Sequence, residues 1–501
     1  MILLVQNENL YENDFRAMIQ AYYPAEKIVA LKPVDLSSYD SRILREYRII
    51  FTALYSKSHV KLKVEEGSKY IFTAYLHGEY QDKANFRNKI KLASYRLMCE
   101  YTGKTLPWGS LTGMRPSKIA SKALEMGMNK AEIIDYYKEV YETTDEKAEL
   151  SAEVAIAEKK ILESVDSKKD YCLYVGIPFC PSRCLYCSFA SYSISDYKGL
   201  VDGYLDALEK ELQYISYVNR NRRLVSIYVG GGTPTSLNEI QFERLVTMIQ
   251  NTFDFSNVLE YTVEAGRPDS ISLEKLKSMR RHKVSRISIN PQTMNDETLR
   301  IIGRDHNVEQ VKEAFLMARS QGFKHINMDI IAGLPGEDRL FMERTLREIA
   351  KLKPDSLTVH SLAIKRAARL NQEMDQFKSL IDMDAAEALS MAHDAAEDMD
   401  LYPYYLYRQK NIAGNLENVG YARKGMACRY NVLIIEEKLD IFAAGAGAVT
   451  RLMTLDEEGK VIKTDRVEDV KSVTDYVNRI DEMIERKRAA TGDKRNLEET
   501  L

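Results

Sequence analysis

Tyr174-Val-Gly-Ile-Pro-Phe-Cys180-Pro-Ser-Arg-Cys184-Leu-Tyr-Cys187-Ser-Phe189 sets three cysteines at Cys-x3-Cys-x2-Cys spacing in a chain that has six. Three thiolates on one short loop can each take one iron of a cubane, leaving the fourth iron open to a small molecule. Zinc competes weakly, because it asks for four ligands in paired units, and no second pair or nearby histidine follows in the loop. Disulfides are disfavoured, since the chain shows no signal segment and reads as intracellular, where thiols stay reduced.

Six short apolar runs surround this loop, at 172–175, 224–229, 259–263, 286–289, 325–331 and 356–359. Each is followed by helical periodicity, which predicts a parallel barrel or partial barrel with its active-site groups just beyond the strand C-terminal ends. The unusual residues fall there. The cysteine loop follows the first run, Gly230-Gly-Gly-Thr-Pro the second, Glu264 the third and Gln292 the fourth, while Asp329 on the fifth leads into Gly333-Leu-Pro-Gly336. Consecutive glycines can simply turn the chain; beside the cysteine loop they also let backbone groups approach a ligand without an intervening Cβ. Glu264 and Asp329 adjoin apolar strands and need partners, for which ribose hydroxyls, an amino group or an arginine would all serve. Arg304, in Gly303-Arg-Asp-His306, reads by itself as an ordinary solvated charge.

Residues 1–165 read as an accessory α+β domain, with strands at 48–55 and 59–65 and helices at 86–101 and 130–141. The only tryptophan, Trp108, lies in Leu106-Pro-Trp108-Gly-Ser-Leu-Thr112-Gly-Met-Arg115-Pro, as a buried ring at a turn or as a contact to a neighbouring domain or ligand. Residues 166–375 form the predicted core, and 376–501 a C-terminal α+β extension completing the substrate site. The 71 basic and 74 acidic side chains nearly cancel, so no global field recruits nucleic acid or an anionic membrane. No apolar run is long enough for a signal or a membrane span, and the expectation is a soluble cytoplasmic protein.

These residues resemble the radical S-adenosylmethionine (SAM) superfamily, and within it the oxygen-independent coproporphyrinogen III oxidases, also called dehydrogenases. The agreement spans about 172–450, with specific stretches at 174–189, 229–235, 286–292, 327–336 and Tyr407-Arg-Gln-Lys-Asn-Ile-Ala-Gly-Asn-Leu-Glu-Asn-Val-Gly-Tyr421. The last stretch and the long N-terminal extension are similar to a variant branch of that group.

The resemblance implies an α/β fold built on a radical SAM partial (β/α)6 barrel. It implies that Cys180, Cys184 and Cys187 bind a [4Fe-4S] cluster whose fourth iron takes the amino and carboxylate groups of SAM. Tyr174, Gly231 and Glu264 match positions that hold this SAM; Tyr186, Gly232, Thr233, Gln292, Arg304, Asp329 and Ala363 match contacts to a second SAM, so one or two molecules are expected. Val449 matches a residue against the first adenine, and Tyr174 and Arg304 match positions counted as catalytic. The implied reaction is haem biosynthetic: a 5'-deoxyadenosyl radical takes hydrogen from propionate β-carbons, and two propionates of coproporphyrinogen III become the vinyl groups of protoporphyrinogen IX. An external donor such as flavodoxin or ferredoxin supplies the electron. One departure matters: the archetype has a further cysteine where this chain has Phe189, a residue shared with haem chaperones of a sister group. A haem-transfer protein, or an enzyme acting on another tetrapyrrole, is therefore the alternative.

Four substrate carboxylates would need local cations, and Lys365, Arg366, Arg369, Arg408 and Lys410 are candidates, with a solvated helix start as the plain reading. Cys172 and Cys99 read as buried thiols, and Cys428, in a basic loop, as a possible reactive one. His306 and His360 read as structural imidazoles near strand ends or as groups protonating substrate. The tail 481–501 reads as a frayed or helical surface segment.

Overall fold

The computed structural model describes residues 1–24, 26–31, 47–67, 70–363, 368–372, 385–409, 415–457, 459 and 461–492. They form two compact units, Met1–Ile156 with Leu406–Asn418, and Ala157–Tyr405 with Val419–Leu501.

The first unit is built on a five-stranded sheet. Strands β1 (Ile2–Gln6), β2 (Ile28–Ala30), β3 (Ile49–Tyr55), β4 (His59–Glu66) and β5 (Tyr70–His77) lie in the order β2-β1-β3-β4-β5. The period-2 pattern of 59–65 works as expected: Val60, Leu62 and Val64 are buried, whereas the residues between them are half-buried. Helices α1 (Glu12–Tyr22) and α2 (Lys83–Thr102) bury Phe15, Met18, Phe86 and Ile90 in the same core as Phe51. Further helices follow, α3 (Ser117–Glu125), α4 (Lys130–Tyr141) and α5 (Asp145–Leu162). Asn129 and Glu132 close a reciprocal capping box at the start of α4.

The segment 406–418, assigned from sequence to a C-terminal extension, belongs with this unit. Trp108 is its anchor. The indole Nε1 donates to Glu417 Oε2 at 2.6 Å, Lys147 Nζ meets Glu417 Oε1 at 2.8 Å, and the Arg408 guanidinium lies 4.9 Å from the indole centroid.

The second unit carries six strands in the predicted places: β6 (Asp170–Ile177), β7 (Arg223–Gly231), β8 (Glu260–Glu264), β9 (Arg286–Ser288), β10 (Ile326–Ala332) and β11 (Ser356–Ser361). Helices α6 (Val201–Val218), α7 (Glu239–Thr252), α8 (Leu273–Arg281), α9 (Val308–Ser320) and α10 (Arg339–Leu352) lie between them. All six strands are parallel. Four more follow, β12 (Tyr402–Arg408) and β13 (Glu417–Ala422), whose 406–408 and 417–418 ends fall in the first unit, β14 (Asp440–Ala444) and β15 (Val449–Leu455), then β16 (Val461–Glu468) and helix α11 (Ile480–Thr491). Strand β14 adds a seventh parallel strand beside β6, and the sheet runs β12-β13-β11-β10-β9-β8-β7-β6-β14-β15-β16.

The two faces of this sheet differ. Leu173, Val175, Ile227, Val229, Val263, Ile287, Met328, Ile330, Leu357 and Val359 are fully buried on one face. Each such side chain contributes about 1.5–3 kcal/mol of burial. The alternate positions bear Tyr174, Tyr228, Glu264, Ser288, Asn327, Asp329 and Thr358, and they pair with one another. Asn327 Nδ2 donates to Ser288 Oγ at 2.9 Å and to Asp329 Oδ1 at 2.6 Å, and Ser356 Oγ donates to Asn327 Oδ1 at 2.9 Å. A polar inner face on a parallel sheet, hydrogen-bonded in part strand to strand, is a floor for polar ligands.

Candidate active site

The cysteine loop leaves the C-terminal end of β6 and is held from three sides. On the first, Gly232 N donates to Ile177 O at 2.7 Å and Thr233 N to Phe179 O at 2.6 Å. Gly231 has φ +108°, and a Cβ on Gly232 would lie 2.5 Å from Phe179 O, so only glycines let the two backbones lie this close. Thr233 Oγ1 then stands 3.5 Å from Cys180 Sγ.

On the second side Arg267, almost fully buried, donates from Nη1 to Ser182 O (3.3 Å) and Ser182 Oγ (3.1 Å) and lies 3.9 Å from Cys184 Sγ. Its other nitrogens hold Asp269 at 3.0 Å in a two-point pair, and His306 Nδ1 lies 3.5 Å from the same carboxylate. Burial opposes the Asp269 charge, but His306 and Arg267 win and hold its carboxyl below the usual range. On the third side Leu185 N donates to Ile302 O at 2.9 Å, and Ser182 Oγ to Gly303 O at 3.2 Å.

The donor set fits an iron–sulfur cluster. Burial pushes the Cys180 thiol up to about 11, with the neighbouring Cys184 and Cys187 adding to the shift, and it raises Cys187 too. Cysteines bind metal as thiolates, so metal taken here would displace their protons. Among the described residues no three His, Cys, Asp or Glu side chains are arranged to hold a single ion. A cubane asks less, one iron per sulfur.

Beyond the loop, register sets an aromatic stack. Tyr174 and Tyr228 are paired on β6 and β7 with rings stacked at 6.2 Å, and Tyr430 lies 4.6 Å from Tyr228. Tyr228 donates to Glu264 Oε1 at 2.5 Å, and a Cβ on Gly230 would lie 3.1 Å from the Glu264 carboxyl carbon. Burial, aided by the Asp329 charge, pushes Glu264 up to about 7 against the Tyr228 hydrogen bond. Asp329 goes the other way: burial opposes its charge, but His360 at 3.9 Å, Thr358 and Asn327 keep it lowered.

Gln292 has φ +68°, uncommon for a side chain of its size. Its backbone bridges β10, accepting from Ile331 N and donating to Asp329 O, both at 2.9 Å. Its Oε1 is buried without a partner, as is Nε of Arg304. Arg304 Nη1 donates to Asn290 O at 2.5 Å and Gly266 O at 3.3 Å, and its charge is raised by Tyr186 and Cys184 although burial opposes it. Burial raises the Tyr186 hydroxyl. Two unanswered polar atoms in a buried site fit a polar ligand that completes them.

The structure thus brings together the three cysteines, Gly231, Gly232, Thr233, Tyr186 and Arg304, and joins Tyr174 to Glu264 through Tyr228 and Gln292 to Asp329. Ala363 lies half-buried past β11, next to Leu362, whose N–H meets Ala332 O at 3.0 Å. Val449 opens β15 and is half-buried.

Several expectations change. Arg408 is buried, with Nε donating to Gly113 O (2.8 Å) and Nη1 to Leu111 O (2.9 Å) and Asn415 O (3.3 Å), so two of its nitrogens are committed to carbonyls while Nη2 is buried without a partner. Lys365, Arg366 and Lys410 lie outside the described residues, and Arg369 is exposed at the start of Arg369–Gln372. Cys428 is not a surface thiol: it is buried 3.4 Å from Glu260, and burial raises it. Cys172 is buried as expected, whereas Cys99 is only half-buried, with its Sγ 3.2 Å from the Tyr22 hydroxyl. His306 is a buried structural imidazole, whereas half-buried His360 faces Asp329. The tail begins as helix α11, and 493–501 lie outside the described residues. Arg267, Asp269, Tyr228 and Tyr430 are site residues that the sequence reading passes over; Gly266-Arg-Pro268, directly past the third strand, was the available signal.

Residues 174–349 match the radical SAM superfamily. Fold and cysteine loop together make this a radical SAM protein. The oxygen-independent coproporphyrinogen-III oxidase-like protein HemZ of Bacillus subtilis (strain 168) is 38% identical over 413 residues, 81% of this chain and 82% of that one. The heme chaperone HemW of the same organism is 33% identical over 55% of this chain and 69% of its own length. Among solved structures, the radical SAM enzyme coproporphyrinogen III oxidase (HemN) of Escherichia coli superposes with a TM-score of 0.52 at 23% identity, covering 65% of this chain and 73% of that one, a likeness of fold. The chain belongs to the HemZ family of coproporphyrinogen III oxidase-like radical SAM proteins.

Proposed function

We propose that this chain carries out oxygen-independent oxidative decarboxylation of coproporphyrinogen III to protoporphyrinogen IX. The observation that carries the reading is the glycine-lined cysteine loop facing a buried site with an acid at Glu264 and unanswered polar atoms on Gln292 and Arg304. Similarity to HemZ over 82% of its length supports the substrate class.

Cys180, Cys184 and Cys187 would hold a [4Fe-4S] cluster, with SAM bound beside it. When bound, these two groups supply the one-electron chemistry that no side chain can. Glu264, Tyr174 and Gly231 would hold the first SAM, with Val449 against its adenine. Tyr186, Gly232, Thr233, Gln292, Arg304, Asp329 and Ala363 would line a second subsite. Arg267 holds Ser182 and Cys184 in place without ligating. The apolar strand face and its helices keep bulk water from the other side of the sheet. The electron would come from a flavodoxin or ferredoxin in the cytoplasm.

A haem-transfer role is the second reading. It is favoured by the HemW similarity and by Phe189, which is 66% exposed two residues past Cys187. Anaerobic incubation with SAM, reductant and coproporphyrinogen III separates the two. Protoporphyrinogen IX, CO2 and 5'-deoxyadenosine are the expected products; tight haem binding with no SAM cleavage would overturn the enzyme reading.

A further inference from the structure

Away from the cysteine loop, three fully buried charged side chains converge between α6, α11 and the end of β16. Lys487 Nζ lies 2.6 Å from Glu211 Oε1 and 2.5 Å from Asp469 Oδ1, and all three side chains are 0% exposed. Glu211 also accepts from the Tyr476 hydroxyl at 2.5 Å and from Gly445 N at 2.9 Å. Burial, with the Glu211 charge beside it, raises the Asp469 carboxyl.

The last of these bonds leads to the cofactor side. Gly445 opens the loop between β14 and Val449, with φ +114°, and a Cβ there would lie 2.4 Å from Gly176 O at the end of β6. The next residue is held too: Ala446 N donates to the Tyr204 hydroxyl at 3.1 Å, which donates to Gly176 O at 2.6 Å. A Cβ on Gly447 would lie 3.7 Å from Ala190, three residues past Cys187, and the Tyr192 hydroxyl donates to Lys471 O at 3.1 Å.

We propose that Glu211 and Lys487 are positioning residues for SAM, fixing the Gly445–Val449 loop against the end of β6 so that Val449 stands where the adenine binds. The proposal rests on the reading of Val449 as a SAM contact. A buried ion cluster is a poor device for stability, because apolar side chains of the same volume cost less to desolvate. What a carboxylate offers that a leucine does not is a directed grip on the Gly445 N–H, and Lys487 and Tyr476 hold that carboxylate in place. The C-terminal helix is thereby part of the cofactor site without touching the cofactor.

The test uses the full chain, reconstituted anaerobically, and measures iron and sulfide content, melting temperature and SAM Kd by equilibrium dialysis. Lys487→Met should weaken SAM binding by about tenfold or more while cluster content stays at the wild-type level. Tyr476→Phe, which removes one hydroxyl and no charge, should weaken it by about two- to fivefold and serves if Lys487→Met does not fold. Val449→Arg is the reference. If Val449→Arg weakens SAM binding and neither cluster variant does, the positioning role is overturned and the adenine contact stands. If Val449→Arg leaves the Kd unchanged, the adenine contact falls and the positioning role with it.

Discussion

At Glu264 burial and the Asp329 charge outweigh the Tyr228 hydrogen bond, so the carboxyl carries a proton up to about pH 7. A raised carboxyl stabilises the folded chain below its unfolded value and loses that contribution as pH rises through about 7. Ligand binding runs the opposite way. A SAM amino group or ribose hydroxyl prefers the carboxylate, so binding expels the proton and the Kd for SAM should fall as pH rises from about 6 to about 8. Glu264→Gln should bind more weakly and lose that slope; a wild-type Kd flat with pH would remove Glu264 from the ligand. Gln292 shows the same economy, with backbone strain held by two β10 hydrogen bonds and an amide oxygen kept free.

Among the elements, the Gly230–Gly232 turn and the cysteine loop form one unit rather than two loops. The strand–loop order was legible from sequence, because metal-ligand spacing and apolar runs are local signals. Their packing was not: the 2.5 Å approach of Gly232 to Phe179 O depends on β6 and β7 lying side by side. Gly232→Ala must therefore push Phe179 and Cys180 aside. Iron bound per chain should drop by about half or more on anaerobic reconstitution, while far-ultraviolet circular dichroism stays unchanged. Full iron loading in that variant would show that the turn and the loop are independent. The polar inner face was likewise hidden. Ser226, Tyr228, Thr262 and Asn327 sit inside runs whose apolar neighbours dominate the reading, and only strand pairing shows that they share a side.

Over the whole molecule, contacts of long sequence separation determine what the sequence reading misjudged. Trp108 and Glu417 are 309 positions apart, and Lys487 and Glu211 are 276 apart. Trp108→Phe should cost about 1.5–3 kcal/mol, because it leaves the buried Glu417 carboxylate without its indole donor. The melting transition should drop while iron content stays constant; an unchanged transition would mean that the other partners of Glu417 satisfy it without the indole. The same separation explains Arg408, whose basic, tyrosine-rich surroundings read as a propionate grip. Its partners are carbonyls of Leu111 and Gly113, nearly three hundred residues earlier, and no local pattern announces them. What the amino-acid order determined by itself was the parallel-strand core, the three-cysteine loop and the glycine turn, since each is a short-range pattern with a direct physical cause. The tertiary structure alone decided which charges are buried against each other, which arginines are already committed and which carboxyl keeps its proton, because desolvation and pairing depend on neighbours that only folding brings together.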